Sequence, residues 1–230
     1  MKLKPRICVS ITAESNKSVV KAIRRVERHA DLVEVRLDFL KENPNLKAFR
    51  EATRLPLIAT NRQVRQGGLF KGSERDRLDT LLRACEAGFD LVDLELTTEN
   101  LEEASRVVKA SGAELMVSHH EFKRTLSERE IEKIMNRELK FKPNVCKIVG
   151  WVNRISDNLA YLNFLSKMQG KYRLVCFGMG DLGVISRVLS PLFGADFTYA
   201  SEALGREAAP GQIPVIDLRA IYIMLGVGDD

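Results

Sequence analysis

Lys147 sits in Val145-Cys-Lys-Ile-Val149, a run that is otherwise apolar, where an ammonium group is costly to bury. Burial and neighbouring arginine cations favour the neutral form of such an amine. A neutral amine adds to a ketone, and the iminium it forms draws electrons from the adjacent carbon. The same lysine fits two plainer roles, a snorkelling side chain or an ion-pair partner for Glu34, and the run alone does not separate the three.

Charged residues interrupt a second apolar stretch. Glu34, Arg36 and Asp38 alternate within residues 32–39, so in a strand all three point to one face. Turned inward, they would line a reaction chamber or form a buried ion network that fixes strand register. Arg62 follows the run at 56–60, and Ser118-His119-His120 closes the run at 114–120. Neighbouring strand residues face opposite sides, so one histidine reaches a shared site while the other packs against helices or bonds a loop. An imidazole suits proton abstraction and return near neutral pH. His29, in a charged helical segment, reads as a solvated bystander.

Gly178-Met-Gly-Asp-Leu-Gly183 matches GxGxxG but follows a late strand instead of opening the first βα unit, which makes it a weak dinucleotide signature. It fits a tight turn into a helix whose N-terminus favours an anion, with Arg187 placed to clamp a carboxylate or phosphate. Turn-making alone accounts for the glycines as well. Ala208-Ala-Pro-Gly-Gln212 holds a turn after the last strand, where it would cover a barrel mouth.

The elements that must position these groups alternate along the chain. Strand-like runs cover residues 6–11, 32–39, 56–60, 89–94, 114–120, 145–149, 172–177 and 196–199. Helical periodicity covers 17–29, 43–53, 74–87, 98–110, 127–136, 156–168, 182–192 and 215–225. Ser73 is placed to cap the third helix, and Gly88 to end it. Eight such βα units in 230 residues match an α/β fold of the (β/α)8 TIM-barrel type, with one domain over residues 1–230. A doubly wound open sheet is the rival architecture.

Composition narrows the function classes. No run approaches the ~18 consecutive apolar residues of a membrane span. The basic start at residues 1–6 precedes only a short apolar stretch, which reads as a first strand and not as a secretory signal, so a cytoplasmic protein is expected. Cys8, Cys85, Cys146 and Cys176 lack the paired spacings of a zinc site, and free buried thiols are expected. The net charge of +5 is spread among 31 acidic residues. Without a basic tract or interleaved aromatics it argues against a nucleic-acid partner and for an anionic small molecule.

Taken together, the motifs resemble those of the type I 3-dehydroquinate dehydratases over nearly the whole chain. They are Glu34-Val-Arg36-Leu-Asp38, Arg62 ahead of Gly67-Gly68, Ser118-His-His-Glu-Phe122, Lys147 in its apolar strand, Gly183-Val-Ile-Ser-Arg187 and Ala209-Pro-Gly-Gln212. The resemblance implies that Lys147 forms a Schiff base and that His120 is the general acid and base. It implies substrate binding by Ser10, Glu34, Arg36, Arg62, Gln66, Arg187 and Gln212, with Arg187 holding a carboxylate and Gln212 closing from the loop. The implied reaction is loss of water from 3-dehydroquinate to give 3-dehydroshikimate in the shikimate pathway, without metal or organic cofactor, in a homodimer. Three residues depart from the family pattern: Gln66 where Glu is common, Ala208 where Ser is common and Leu126 where Pro is common. Gln66 bonds a hydroxyl without charge-assisted strength. The alternatives are a class I Schiff-base aldolase acting on a sugar phosphate and a basic nucleic-acid-binding module.

Overall fold

Each of the eight apolar runs becomes a strand: β1 (Ile7–Ile11), β2 (Leu32–Arg36), β3 (Leu57–Thr60), β4 (Leu91–Glu95), β5 (Glu114–Glu121), β6 (Val145–Trp151), β7 (Leu174–Met179) and β8 (Thr198–Ser201). Helices separate and follow them: α1 (Asn16–Val26), α2 (Leu46–Glu51), α3 (Glu74–Glu86), α4 (Leu101–Ala110), α5 (Glu128–Glu138), α6 (Asn158–Met168), α7 (Val184–Leu189) and α8 (Val215–Met224). This computed structural model describes residues 4–228; the ends of the 1–230 domain expectation, residues 1–3 and 229–230, lie outside the described residues. The strands form one sheet in the order β7-β6-β5-β4-β3-β2-β1-β8, and every pairing is parallel. The sheet curls into a nearly closed barrel, the TIM-barrel architecture expected from the βα rhythm. Among the described residues no ladder joins β7 to β8. Their seam is held by Asp196 N donating to Leu174 O at 2.9 Å and by the Phe177 and Tyr199 rings, 6.3 Å apart and edge to face.

Strand alternation sorts the side chains into two shells. Val9, Val33, Val35, Ala59, Val92 and Leu94 face outward and pack with helix residues such as Ile23, Phe49 and Leu81. The inward positions stack in layers two residues apart. The lowest layer is an apolar plug of Cys8, Leu32, Ile58, Leu91, Met116, Val145, Val175 and Phe197, all buried. Two residues further along the same strands come Ser10, Glu34, Thr60, Asp93, Ser118, Lys147, Phe177 and Tyr199. Polar and charged groups therefore begin one layer above the plug, toward the carboxyl ends of the strands.

Helix ends follow the local chemistry. The Ser73 side chain accepts from Asp76 N at 3.1 Å, and Gly88 takes φ +89° just past α3, a left-handed turn that favours glycine. Ser127 and Glu130 form a reciprocal capping box at α5. Several expected elements are shorter than their patterns, among them α2, expected over 43–53 and observed over Leu46–Glu51. β2 ends at Arg36, and Leu37–Phe39 forms a 3-10 turn, so Asp38 reaches its partners from a turn. The helix expected over 182–192 splits into the six-residue α7 flanked by 3-10 turns, the second containing Pro191, which has no N–H to continue the ladder.

Candidate active site

The polar layer centres on Lys147. Its Nζ lies 3.1 Å from Asp93 Oδ2, 3.0 Å from the Tyr199 hydroxyl and 3.6 Å from Glu34 Oε1, and the residue is only 5% exposed. The charges that touch it are thus carboxylates and not the arginine cations expected from the sequence. Both carboxylates are held in place. Glu34 accepts from Ser10 Oγ at 2.7 Å, a partner that strand register sets beside it, and from Thr60 Oγ1 at 2.9 Å on the neighbouring strand. Asp93 accepts from Ser118 Oγ at 2.6 Å and Arg62 Nη2 at 2.5 Å. Burial alone would raise the Asp93 pKa, but the Arg62 and Lys147 cations outweigh it and hold the carboxyl below its ordinary value.

One layer higher, Arg62 Nη1 stands 3.3 Å from His120 Nδ1. A guanidinium only donates, so Nδ1 accepts and a neutral ring carries its proton on Nε2. Burial, then the nearby Arg62 and Lys147 cations, push the His120 pKa well below its ordinary value, which leaves the imidazole neutral and able to accept a proton. The ring stacks on Phe122 at 5.9 Å. His120 faces the cavity, whereas the adjacent His119 is not among the residues that line it.

Arg62 is itself anchored from behind. Glu95 Oε1 lies 3.6 Å from Arg62 Nη1, and Glu95 Oε2 accepts from Arg77 Nη1 at 2.7 Å. Arg77, on α3, also forks onto Glu74 at 2.8 and 2.7 Å. Burial would lower the Arg62 pKa, yet Asp93 and Glu95 together keep it above the usual guanidinium value. Arg36 is forked onto Asp38 at 2.9 and 2.7 Å. This bidentate pair fixes the Arg36 guanidinium plane at the cavity wall.

Arg187 differs from the others. It projects from α7 into the cavity, its Cζ 4.4 Å over the Phe177 ring, and its Nη2 donates to Pro210 O at 3.3 Å. No carboxylate pairs with it among the described residues, and its buried Nε has no hydrogen-bond partner. Burial pulls its pKa down to about 9, so the guanidinium still carries its charge at neutral pH. A buried cation without a counter-ion is costly, and an anion in the pocket would supply the missing partner.

The loop after β8 closes the top. Gln212 Nε2 donates to Ser10 Oγ at 3.3 Å, and Gln212 Oε1 accepts from Ala208 N at 2.7 Å. Gly180 N donates to Pro210 O at 3.2 Å. Gly211 has φ +79°, and a Cβ there would stand 2.4 Å from Gly180 O, so this contact requires glycine. The GxGxxG glycines likewise serve close approach: a Cβ on Gly183 would lie 2.6 Å from the Gly178 carbonyl carbon. Gln66 lines the cavity but donates to Thr97 Oγ1 at 3.0 Å.

The resulting cavity, of about 260 Å³, is lined by Ser10, Glu34, Arg36, Arg62, Gln66, His120, Lys147, Arg187 and Gln212, together with Phe122, Phe177 and Tyr199. The nine residues to which the resemblance gave catalytic or binding roles thus meet at one place, whereas Asp38 and His119 lie outside the lining. Sequence reasoning missed Asp93, Glu95, Arg77 and Tyr199. Asp93 and Glu95 alternate in Leu91-Val-Asp-Leu-Glu95 just as Glu34 and Arg36 do, so the same signal was available. An arginine on an amphipathic helix and an aromatic in a strand carry no such signal. Among the described residues no group of three or more His, Cys, Asp or Glu side chains is arranged to hold a metal ion. No helix among them is long and apolar enough to cross a membrane.

Comparison with known proteins agrees with the barrel fold. The family model described as Type I 3-dehydroquinase matches residues 7–229. A 3-dehydroquinate dehydratase of Dehalococcoides mccartyi is 34% identical over 225 residues, covering 96% of each chain. That of Methanosarcina acetivorans is 33% identical over 213 residues, covering 88% of each. Among solved structures, the 3-dehydroquinate dehydratase of Geobacillus kaustophilus superposes with a TM-score of 0.89 at 26% identity, over 97% of this chain and 91% of its own. A 3-hexulose-6-phosphate synthase of Salmonella typhimurium, at 16% identity and a TM-score of 0.57, covers 98% of both chains and shares the fold alone. On a match that spans nearly its whole length, the chain belongs to the type I 3-dehydroquinase family.

Proposed function

We propose that this protein is a 3-dehydroquinate dehydratase of the shikimate pathway, in which Lys147 carries the substrate as a Schiff base and His120 moves the protons. The observation that carries this reading is the buried Lys147 nitrogen in a cavity whose walls also hold a neutral imidazole and an arginine without a counter-ion. Arg187 takes the substrate carboxylate, which supplies its missing partner. Glu34, Arg36, Arg62, Gln66, Ser10 and Gln212 bind the ring hydroxyls and fix the ketone against Lys147.

Lys147 first gives up a proton to His120, then adds to the ketone, and the carbinolamine oxygen takes that proton back as it leaves as water and an iminium forms. His120 removes a proton from the adjacent carbon, with Nδ1 freed when substrate oxygens draw Arg62 away. The resulting enamine expels the β-hydroxyl, which takes the proton from His120 as it leaves. Water then releases the product and restores the amine. Proton transfer by a placed side chain accelerates such steps by about 10²–10⁴-fold, and the iminium supplies the electron sink.

Borohydride trapping with 3-dehydroquinate, followed by peptide mass mapping, tests the assignment. The reduced adduct is expected on Lys147 and is expected to vanish in Lys147→Ala. An adduct on any other lysine overturns the proposal.

We further propose a cytoplasmic homodimer. The four buried free cysteines suit a reducing compartment. Leu159, Ile185, Ile216, Ile223 and Met224 are exposed on three consecutive outer helices, where a second copy would cover them. Sedimentation at micromolar concentration should give twice the monomer mass, and a monomer there rejects the dimer.

A further inference from the structure

Tyr199 lies in the same interior layer as Lys147 and is 2% exposed. Edge-to-face contacts with Phe177 at 6.3 Å and Phe197 at 5.5 Å fix its ring. The Lys147 Nζ sits 3.0 Å from its hydroxyl and 4.1 Å from its ring centroid. Among the described residues Lys147 is the hydroxyl's one hydrogen-bond partner. An ammonium donates and cannot accept, so the phenol's own proton is unspent inside a buried, reactive cavity.

Burial, reinforced by the Glu34 carboxylate, raises the Tyr199 pKa well above its ordinary value. The group is therefore a neutral donor and neither a base nor a nucleophile. The nitrogen and oxygen of a carbinolamine share one carbon, so a hydroxyl within hydrogen-bond reach of the nitrogen also reaches that oxygen when the C–O bond points to its side. We propose that Tyr199 is a further catalytic residue, donating a hydrogen bond to the substrate oxygen on the carbon that Lys147 attacks.

This proposal rests on the Schiff-base reading above and adds a partner to its first step. The amine lone pair forms the C–N bond while the C=O π pair moves onto oxygen, where the Tyr199 hydroxyl meets the developing charge. His120 relays protons from nitrogen to that oxygen, and the C–O bond then breaks. Over the whole step two of the three ammonium protons leave with the ketone oxygen as water, and one remains on the iminium nitrogen. Tyr199 keeps its own proton throughout. Its benefit is greatest when charge builds on oxygen, so it acts on rate more than on binding.

The test is Tyr199→Phe, which keeps the ring and removes only the hydroxyl. In single-turnover experiments with 3-dehydroquinate, quenched with borohydride, adduct formation should slow about 10²–10³-fold, as for loss of one oxyanion donor. KM should stay within about 3-fold, because a donor used mainly in the transition state contributes little to ground-state binding. Adduct formation at the wild-type rate overturns the role of Tyr199 while leaving the Schiff base intact. Absence of an adduct in the wild-type protein removes the reading beneath it. If Tyr199→Phe does not fold, 3-fluorotyrosine introduced at this position strengthens the donor without removing it. Faster adduct formation then supports the role, and an unchanged rate overturns it.

Discussion

The two ends of the barrel treat charge in opposite ways. At the floor, where the strands begin, cations are matched within the protein. Arg6 meets Asp196 at 3.1 Å, Arg173 spans Asp196 at 3.0 Å and Glu114 at 2.7 Å, and Arg219 meets Asp31 at 2.5 Å. At the mouth, Arg36, Arg62 and Lys147 also meet carboxylates, but among the described residues Arg187 is buried with none and its Nε is unpartnered. Floor charges close on themselves and hold strand starts together. The charge left unmatched at the mouth would be completed by an anionic ligand.

That contrast can be broken at several points. The largest effect is expected at His120. His120→Ala should lower the single-turnover rate by about 10²–10⁴-fold, the usual worth of a placed acid–base group, whereas His119→Ala should change it only a few-fold. Equal losses would reverse the choice of histidine. The electrostatics of the same residue can be read by NMR. Because burial depresses its pKa, the basic neutral form persists as pH falls through 6.5 and is lost only well below it. A His120 ring that protonates at or above 6.5 contradicts the dry site.

Next in size, Arg187→Gln should raise KM for 3-dehydroquinate by about 30–1000-fold, as expected when one partner of a buried charge pair is truncated. Removing a costly unpaired cation should also leave the unliganded protein no less stable. A variant that binds normally would show that the substrate carboxylate goes elsewhere. The smallest effect belongs to the floor. Arg173 is partly exposed, at 39%, so its two ion pairs are screened and each contributes about 0–1 kcal/mol. Arg173→Ala should lower the melting temperature by only a few degrees with kcat unchanged. A loss of activity there would mean that the two ends are coupled.

The mouth was more legible in the sequence than the floor, for a physical reason. A lysine, a glutamate or an arginine inside an apolar strand is costly unless something uses it, so Lys147, Glu34 and Arg36 announce themselves. Floor residues such as Arg6, Asp31 and Asp196 sit at strand starts, where charged residues are ordinary. The βα rhythm gave the barrel, but element ends depended on tertiary contacts. β2 stops at Arg36, and Asp38 bonds Arg36 and Leu69 N from a turn. The surroundings of Lys147 were hidden because Asp93 comes from β4 and Tyr199 from β8, and only barrel closure brings them to β6. Periodicity within one strand cannot report which neighbours arrive across the interior.

The apolar layer of Cys8, Leu32, Ile58, Leu91, Met116, Val145, Val175 and Phe197 makes the barrel a cul-de-sac. With that layer closing the floor, the proposed substrate would enter and its product leave at the mouth, a doorway lined by Pro210 and Gln212. Traffic through that doorway is consequently one-in, one-out, and the organic product must depart before the next guest can be seated.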